Sequence, residues 1–174
     1  ALLVAATNGH VELVTMLLEK VGDREDPVAR SIICKGLALA ARSGHFRVVQ
    51  QLLKCPAACE IDMQSAVAAV VGASRNGHVQ VLGLLKEQSM IPEDTAWDRD
   101  SALVAASRHG HLDAVRLLLD CGLSPNEVTR DNNRTGLICA SHHGHLEVVR
   151  TLLNRSADPN IGTSDTSLTP IICA

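Results

Sequence analysis

The sequence predicts an all-α solenoid of stacked helix–turn–helix units with connecting hairpin loops, and three observations predict it. The dipeptide Gly-His recurs at Gly9-His10, Gly44-His45, Gly77-His78, Gly110-His111 and Gly144-His145, at spacings of 35, 33, 33 and 34 residues. Such a fixed period marks a repeat architecture. Each pair follows a short Ala-containing apolar stretch and precedes a longer apolar stripe at helical spacing. One Trp, one Phe and no Tyr among 174 residues favour helices packed closely through small side chains over a sheet-rich sandwich.

The first helix of each unit is read at 2–6, 37–41, 70–74, 103–107 and 137–141. Paired alanines such as Ala5-Ala6 and Ala40-Ala41 let neighbouring backbones approach. The glycine that follows ends the helix in the left-handed conformation. A second helix then carries its stripe, as Leu112, Val115, Leu117, Leu118 and Leu119 do in the fourth unit and Leu146, Val148, Val149, Leu152 and Leu153 in the fifth. Glu12, Asp113 and Glu147 meet the positive end of the helix dipole in the first turn, while Arg47 and Gln80 depart from that preference. Gly122-Leu123-Ser124-Pro125-Asn126 and Ser156-Ala157-Asp158-Pro159-Asn160 supply a stop and turn residues, so they are candidate hairpins. The expected units of this single array are 1–34, 35–67, 68–100, 101–134 and 135–168, with the start of a sixth at 169–174. The connections over 21–35 and 56–64 are irregular, and longer loops are expected there.

A composition of 46% hydrophobic and 20% charged residues excludes a disordered chain. A formal charge of -3 gives no global basic field toward nucleic acid or anionic lipid, and the stacking aromatics of a nucleic-acid binder are missing. No apolar run reaches the roughly 18 residues a membrane span needs, and no signal peptide opens the sequence. Cys34, Cys55, Cys59, Cys121, Cys139 and Cys173 read as small hydrophobes of a reducing compartment, cytoplasmic with the nucleus as alternative. The missing initiator Met and the apolar ending Thr169-Pro170-Ile171-Ile172-Cys173-Ala174 suggest an excerpt of a longer protein.

With the Ala-Ala, Gly-His and Val-Val-x-Leu-Leu elements and the Ser156-Ala157-Asp158-Pro159-Asn160 segment in view, the chain resembles the ankyrin-repeat family over nearly its whole length. Thr135 and Thr169 match the family's leading Thr, with Ser101 a weaker substitute. The family's first-helix His is replaced by Leu3, Ala38, Val71, Val104, Ile138 and Ile172, so the hydrogen bonds it makes at the hairpin are expected to be absent. HEAT or armadillo pairs, the structural alternative, have longer units of about 40 to 47 residues.

The resemblance implies a binding role and places the two residues before each Gly-His on a concave face. These are Thr7-Asn8, Arg42-Ser43, Arg75-Asn76, Arg108-His109 and His142-His143. Arg42, Arg75, Asn76, Arg108, His109, His142 and His143 are therefore the candidate partner-binding residues, with Trp97 of the polar connection as a possible anchor that could equally cover a helix edge. The plainer reading of the arginines is that a basic residue suits the negative end of a short helix. Phe46 reads as core or rim. The glycines and histidines of the five dipeptides are assigned to structural turns, the imidazole bonding backbone in the neighbouring turn. No catalytic motif, metal set or cofactor is expected: His142-His143-Gly144-His145 with His109-Gly110-His111 lacks partners at a ligand spacing, and Cys55/Cys59 is a lone pair. The function expected is non-catalytic capture of a protein or extended peptide, acidic or phosphorylated, with no small-molecule substrate. The alternative is an internal spacer or docking scaffold within a larger multidomain protein.

Overall fold

The computed structural model describes residues 1–21, 27–55, 61–91, 101–130, 133–163 and 170. Within them the chain forms α1 (Leu2–Thr7), α2 (Val11–Val21), α3 (Pro27–Ser43), α4 (Phe46–Lys54), α5 (Met63–Arg75), α6 (Val79–Glu87), α7 (Ala102–Arg108), α8 (Leu112–Asp120), α9 (Gly136–His142) and α10 (Leu146–Asn154). The odd-numbered helices pack in series as an inner row and the even-numbered ones as an outer row, each pair joined by a Gly-His turn. The result is an all-α solenoid. Its only β feature among the described residues is an isolated antiparallel bridge between Val128 and Thr135, where the Thr129 amide donates to the Arg134 carbonyl at 3.0 Å.

The turn is a Schellman motif with both bonds in units two to five, and in the first unit the His10 amide makes the outer bond to the Ala5 carbonyl. In the second unit the His45 amide donates to the Ala40 carbonyl at 3.0 Å and the Gly44 amide to Ala41 at 3.2 Å. That pairing requires a left-handed residue between them, which is why glycine stands there. Gly9, Gly44, Gly77, Gly110 and Gly144 have φ of 76°, 78°, 69°, 72° and 71°. The outer helices close in a related way at Ser89, Gly122 and Ser156, with φ of 54°, 94° and 66°. There the Met90, Leu123 and Ala157 amides reach back to Leu85, Leu118 and Leu152. The core runs continuously between the rows. Leu52, Leu85, Leu118 and Leu152 occupy one register position of successive outer helices and are fully buried, each side chain stabilising the stack by roughly 1.5–3 kcal/mol.

The inner helices α3 and α5 differ from expectation, having 17 and 13 residues against 7 in α7 and α9. Much of the irregular connection expected over 21–35 is therefore helix. Pro27 suits a first turn that needs no amide donor, and Ala29, Ile33 and Leu37 are buried at four-residue spacing along one face. Met63 and Gln64, expected in a loop, are likewise the first turn of α5. Asp62 caps that turn, its Oδ1 accepting from the Ser65 amide at 2.7 Å. The expected unit boundaries at 34/35 and 67/68 fall inside these two helices, so the repeat is better counted from helix pair to helix pair. At the shorter helices Thr135 Oγ1 accepts from the Ile138 amide at 3.2 Å, and Ser101 Oγ from Val104 at 3.5 Å. Ser101 also donates to Glu127 Oε2 at 2.6 Å. Val71, Val104 and Ile138, which stand where the family has His, are buried.

Candidate protein-interaction surface

The residues before the first four Gly-His pairs are held in place by the histidine of the next unit. His45 Nε2 donates to the Thr7 carbonyl at 2.8 Å, His78 to Arg42 at 3.1 Å, His111 to Arg75 at 3.1 Å and His145 to Arg108 at 3.0 Å. A carbonyl can only accept, so these rings carry their proton on Nε2. Each ring also lies over the preceding glycine. A Cβ built on Gly9, Gly44, Gly77 or Gly110 would come within 2.6 Å of His45, His78, His111 or His145, and one on Gly144 would meet nothing within 4 Å. The histidine thus needs glycine in front of it for two reasons, the backbone conformation and the space.

These ties fix Arg42, Arg75 and Arg108 at one register position of three consecutive inner helices. Arg42 is exposed, and Arg75 and Arg108 are half-buried. A Cβ on Gly72 would lie 3.0 Å from Arg42 Cβ, so α5 packs against the base of that side chain. Adjacent packed helices are about 8–10 Å apart, which sets the rise from one arginine to the next.

At the neighbouring position, Asn76 Nδ2 donates to the carbonyls of Arg42 and Gly72, both at 3.0 Å. With its amide group committed inside the array, only Oδ1 remains to meet a partner. His109 and His143 are exposed. The His109 ring stacks on His111 with centroids 6.1 Å apart, and His143 stacks on His145 at 6.0 Å. His142 meets His143 edge-on at 5.0 Å, and His143 Nδ1 donates to the Cys139 carbonyl at 2.9 Å. Partial desolvation, followed by the nearby His111, Arg108, Arg75 and His143, pushes the His109 pKa below the usual imidazole value.

Trp97 and the rest of its connection lie outside the described residues, as do Cys59, Thr169, Ile172 and Cys173. Phe46 is half-buried and packs against the core, which fits the core-or-rim reading. Among the described residues no group of three or more His, Cys, Asp or Glu is disposed to hold a metal ion, and no helix is long and apolar enough to cross a membrane. The long α3 and α5 also create a feature the sequence did not signal. A cleft of about 630 Å³ between them is lined by Arg30, Cys34, Lys35, Asp62 and Ser65, among others.

The family model described as ankyrin repeats (three copies) matches residues 37–129 and 70–165. Comparison with curated proteins finds no match.

Proposed function

The chain belongs to the ankyrin-repeat family, and from that premise we propose that its concave groove captures an extended acidic or phosphorylated segment of a protein partner. Ankyrin repeats are generally protein–protein interaction modules and are typically non-catalytic. The observation that carries the finer reading is the register of Arg42, Arg75 and Arg108, whose backbones are tied to the following units by His78, His111 and His145. Guanidinium forks suit carboxylate and phosphate oxygens. An extended segment rises about 3.3 Å per residue, so anionic side chains at every third position match the 8–10 Å step between helices. His142 continues the row, His109 and His143 stand beside it at the neighbouring position, and Asn76 contributes Oδ1 there. Cys34, Cys55 and Cys139, buried as small hydrophobes, support a reducing compartment, cytoplasmic or nuclear, as the setting.

The test is binding of a labelled extended peptide with glutamate or phosphoserine at every third position, compared between wild type and the triple Arg42→Gln, Arg75→Gln, Arg108→Gln variant. Each lost charged contact should cost roughly 1.5–3 kcal/mol of binding, and added salt should weaken the wild-type complex. Circular dichroism should show the variant folded. Affinity indifferent to the triple substitution and to salt would move the site away from the groove.

A second reading, a docking scaffold whose end stacks on a further repeat, is favoured by one observation. Leu13 is 51% exposed, whereas Val48, Val81, Ala114 and Val148 at the same position of later units are buried to 2% or less. An array that binds no peptide of any charge pattern, yet gains stability from an added repeat, would favour it.

A further inference from the structure

We propose that the end of α7 forms a proton-coupled carboxylate subsite of the groove, in which Arg75, Arg108, His109 and His143 bind an acidic side chain of the partner together with a proton taken up by the His109 imidazole. The proposal rests on the groove reading above and adds its ligand and its regulation.

Two kinds of histidine meet at this step of the array. His111 and His145 are committed, their Nε2 atoms donating to the carbonyls of Arg75 and Arg108. They hold the peptide groups of the two arginines and form the floor on which the other two rings lie. His109 and His143 stack on that floor, at 6.1 Å and 6.0 Å, and both are exposed. His143 spends Nδ1 on the Cys139 carbonyl, which leaves Nε2 as the ring atom that can meet a ligand.

Among the described residues, the groups acting on the His109 ring are Arg75 from α5, Arg108 from α7, His111 from the turn before α8 and His143 from the end of α9. Partial desolvation, together with these basic side chains, favours the neutral imidazole when the groove is empty. A carboxylate placed among them reverses that sign, since an opposite charge within a few ångströms favours the charged form. By linkage, a ligand that raises the affinity for a proton is bound more tightly when protons are abundant. A partner glutamate stays ionised from about pH 7.5 to about pH 5.5, so the change in affinity over that interval comes from the His109 imidazole. A phosphomonoester behaves differently because its own second ionisation, near pH 6, removes charge over the same interval.

The experiment is fluorescence anisotropy of a labelled extended peptide bearing glutamate at every third position, titrated with the chain at about pH 7.5 and about pH 5.5. Isothermal calorimetry in two buffers of different ionisation enthalpy reads proton uptake directly. The expected result is a tightening of roughly tenfold on acidification, with net proton uptake. The slope and the uptake should both shrink in His109→Gln and in the double variant with His143→Gln. The matching phosphoserine peptide should show a shallower slope than the glutamate peptide. Binding that depends on Arg42 but has the same pH slope in wild type and in both histidine variants would overturn the subsite and leave the groove reading standing. A phosphoserine peptide that tightens more than glutamate would overturn the carboxylate assignment. Absence of binding at either pH would overturn both.

Discussion

Units two and three reach the same turn as units four and five by a different route. In the later pair the inner helix has 7 residues and opens on a hydroxyl cap, Ser101 or Thr135. In the earlier pair it has 17 and 13 residues, opening at Pro27 or on the Asp62 cap. The C-terminal ends share one backbone turn. Gly44, Gly77 and Gly110 all carry positive φ and all lie under the histidine of the next unit. The contrast shows where a stacked repeat is constrained. Neighbouring units are pinned where the helix ends, while the start can lengthen as long as the added turns find an apolar face to bury.

The largest expected effect tests whether the extension of α3 belongs to the core. Counted back from the turn glycine, Ile33 lies three residues before the position at which the later inner helices begin, yet it is fully buried in the continuous cluster. Ile33→Ala should destabilise by about 2–5 kcal/mol in urea unfolding, the range for a buried aliphatic reduced to Ala. A loss below about 1 kcal/mol would make the extension a peripheral overhang and dissolve the contrast between the two halves.

Next come two glycines that are alike in backbone and unlike in surroundings. Gly110→Val and Gly144→Val each place a β-branched residue at positive φ, with a strain of roughly 1–2 kcal/mol. The Gly110 substitution additionally drives Cβ to 2.6 Å from His145 Nδ1, while Gly144 has open space around it. Gly110→Val should therefore be the more destabilising and should release the bond from His145 to Arg108. Equal melting curves would show that the histidine tie adds nothing to the turn.

That glycine pattern is also where the sequence was most legible. A left-handed residue followed by His is strongly restricted chemically, so five copies located the five turns and the two helix rows. Ser89 and Ser156 do the work of Gly122 at the ends of outer helices, but a serine at positive φ leaves no local signal. The extension of α3 was hidden for a similar reason. The acidic, Pro-containing stretch before it reads as loop, and only its burial against neighbouring inner helices reveals Ile33 as core. At the proposed groove, register placed Arg42, Arg75 and Arg108 on successive units, whereas the use of Asn76 as a bridge to Arg42 and Gly72 depends on side-chain geometry. Trp97 falls outside the described residues, so the structure adds nothing to its reading.

The smallest effect separates the halves by the chemistry of their caps. Asp62→Ala and Thr135→Ala each remove the oxygen that accepts from an amide three residues on, and each should cost roughly 0.5–2 kcal/mol at neutral pH. Asp62 is expected toward the lower end because its carboxylate is exposed to solvent. The two should part company in acid. The Ser65 amide holds the Asp62 carboxyl below the usual carboxylate range, outweighing the opposing effect of its partial desolvation, and the Ser65 hydroxyl adds to the lowering. A group whose folded pKa is depressed contributes its stability above the unfolded value of about 3.9 and loses it as the pH falls through the folded value. Urea unfolding at about pH 7 and about pH 3 should accordingly show the gap between wild type and Asp62→Ala narrowing in acid. The gap for Thr135→Ala should hold, since a hydroxyl does not titrate there. Parallel gaps at both pH values would mean that the Asp62 cap owes nothing to its charge, and that the longer inner helix starts in the same way as the shorter one.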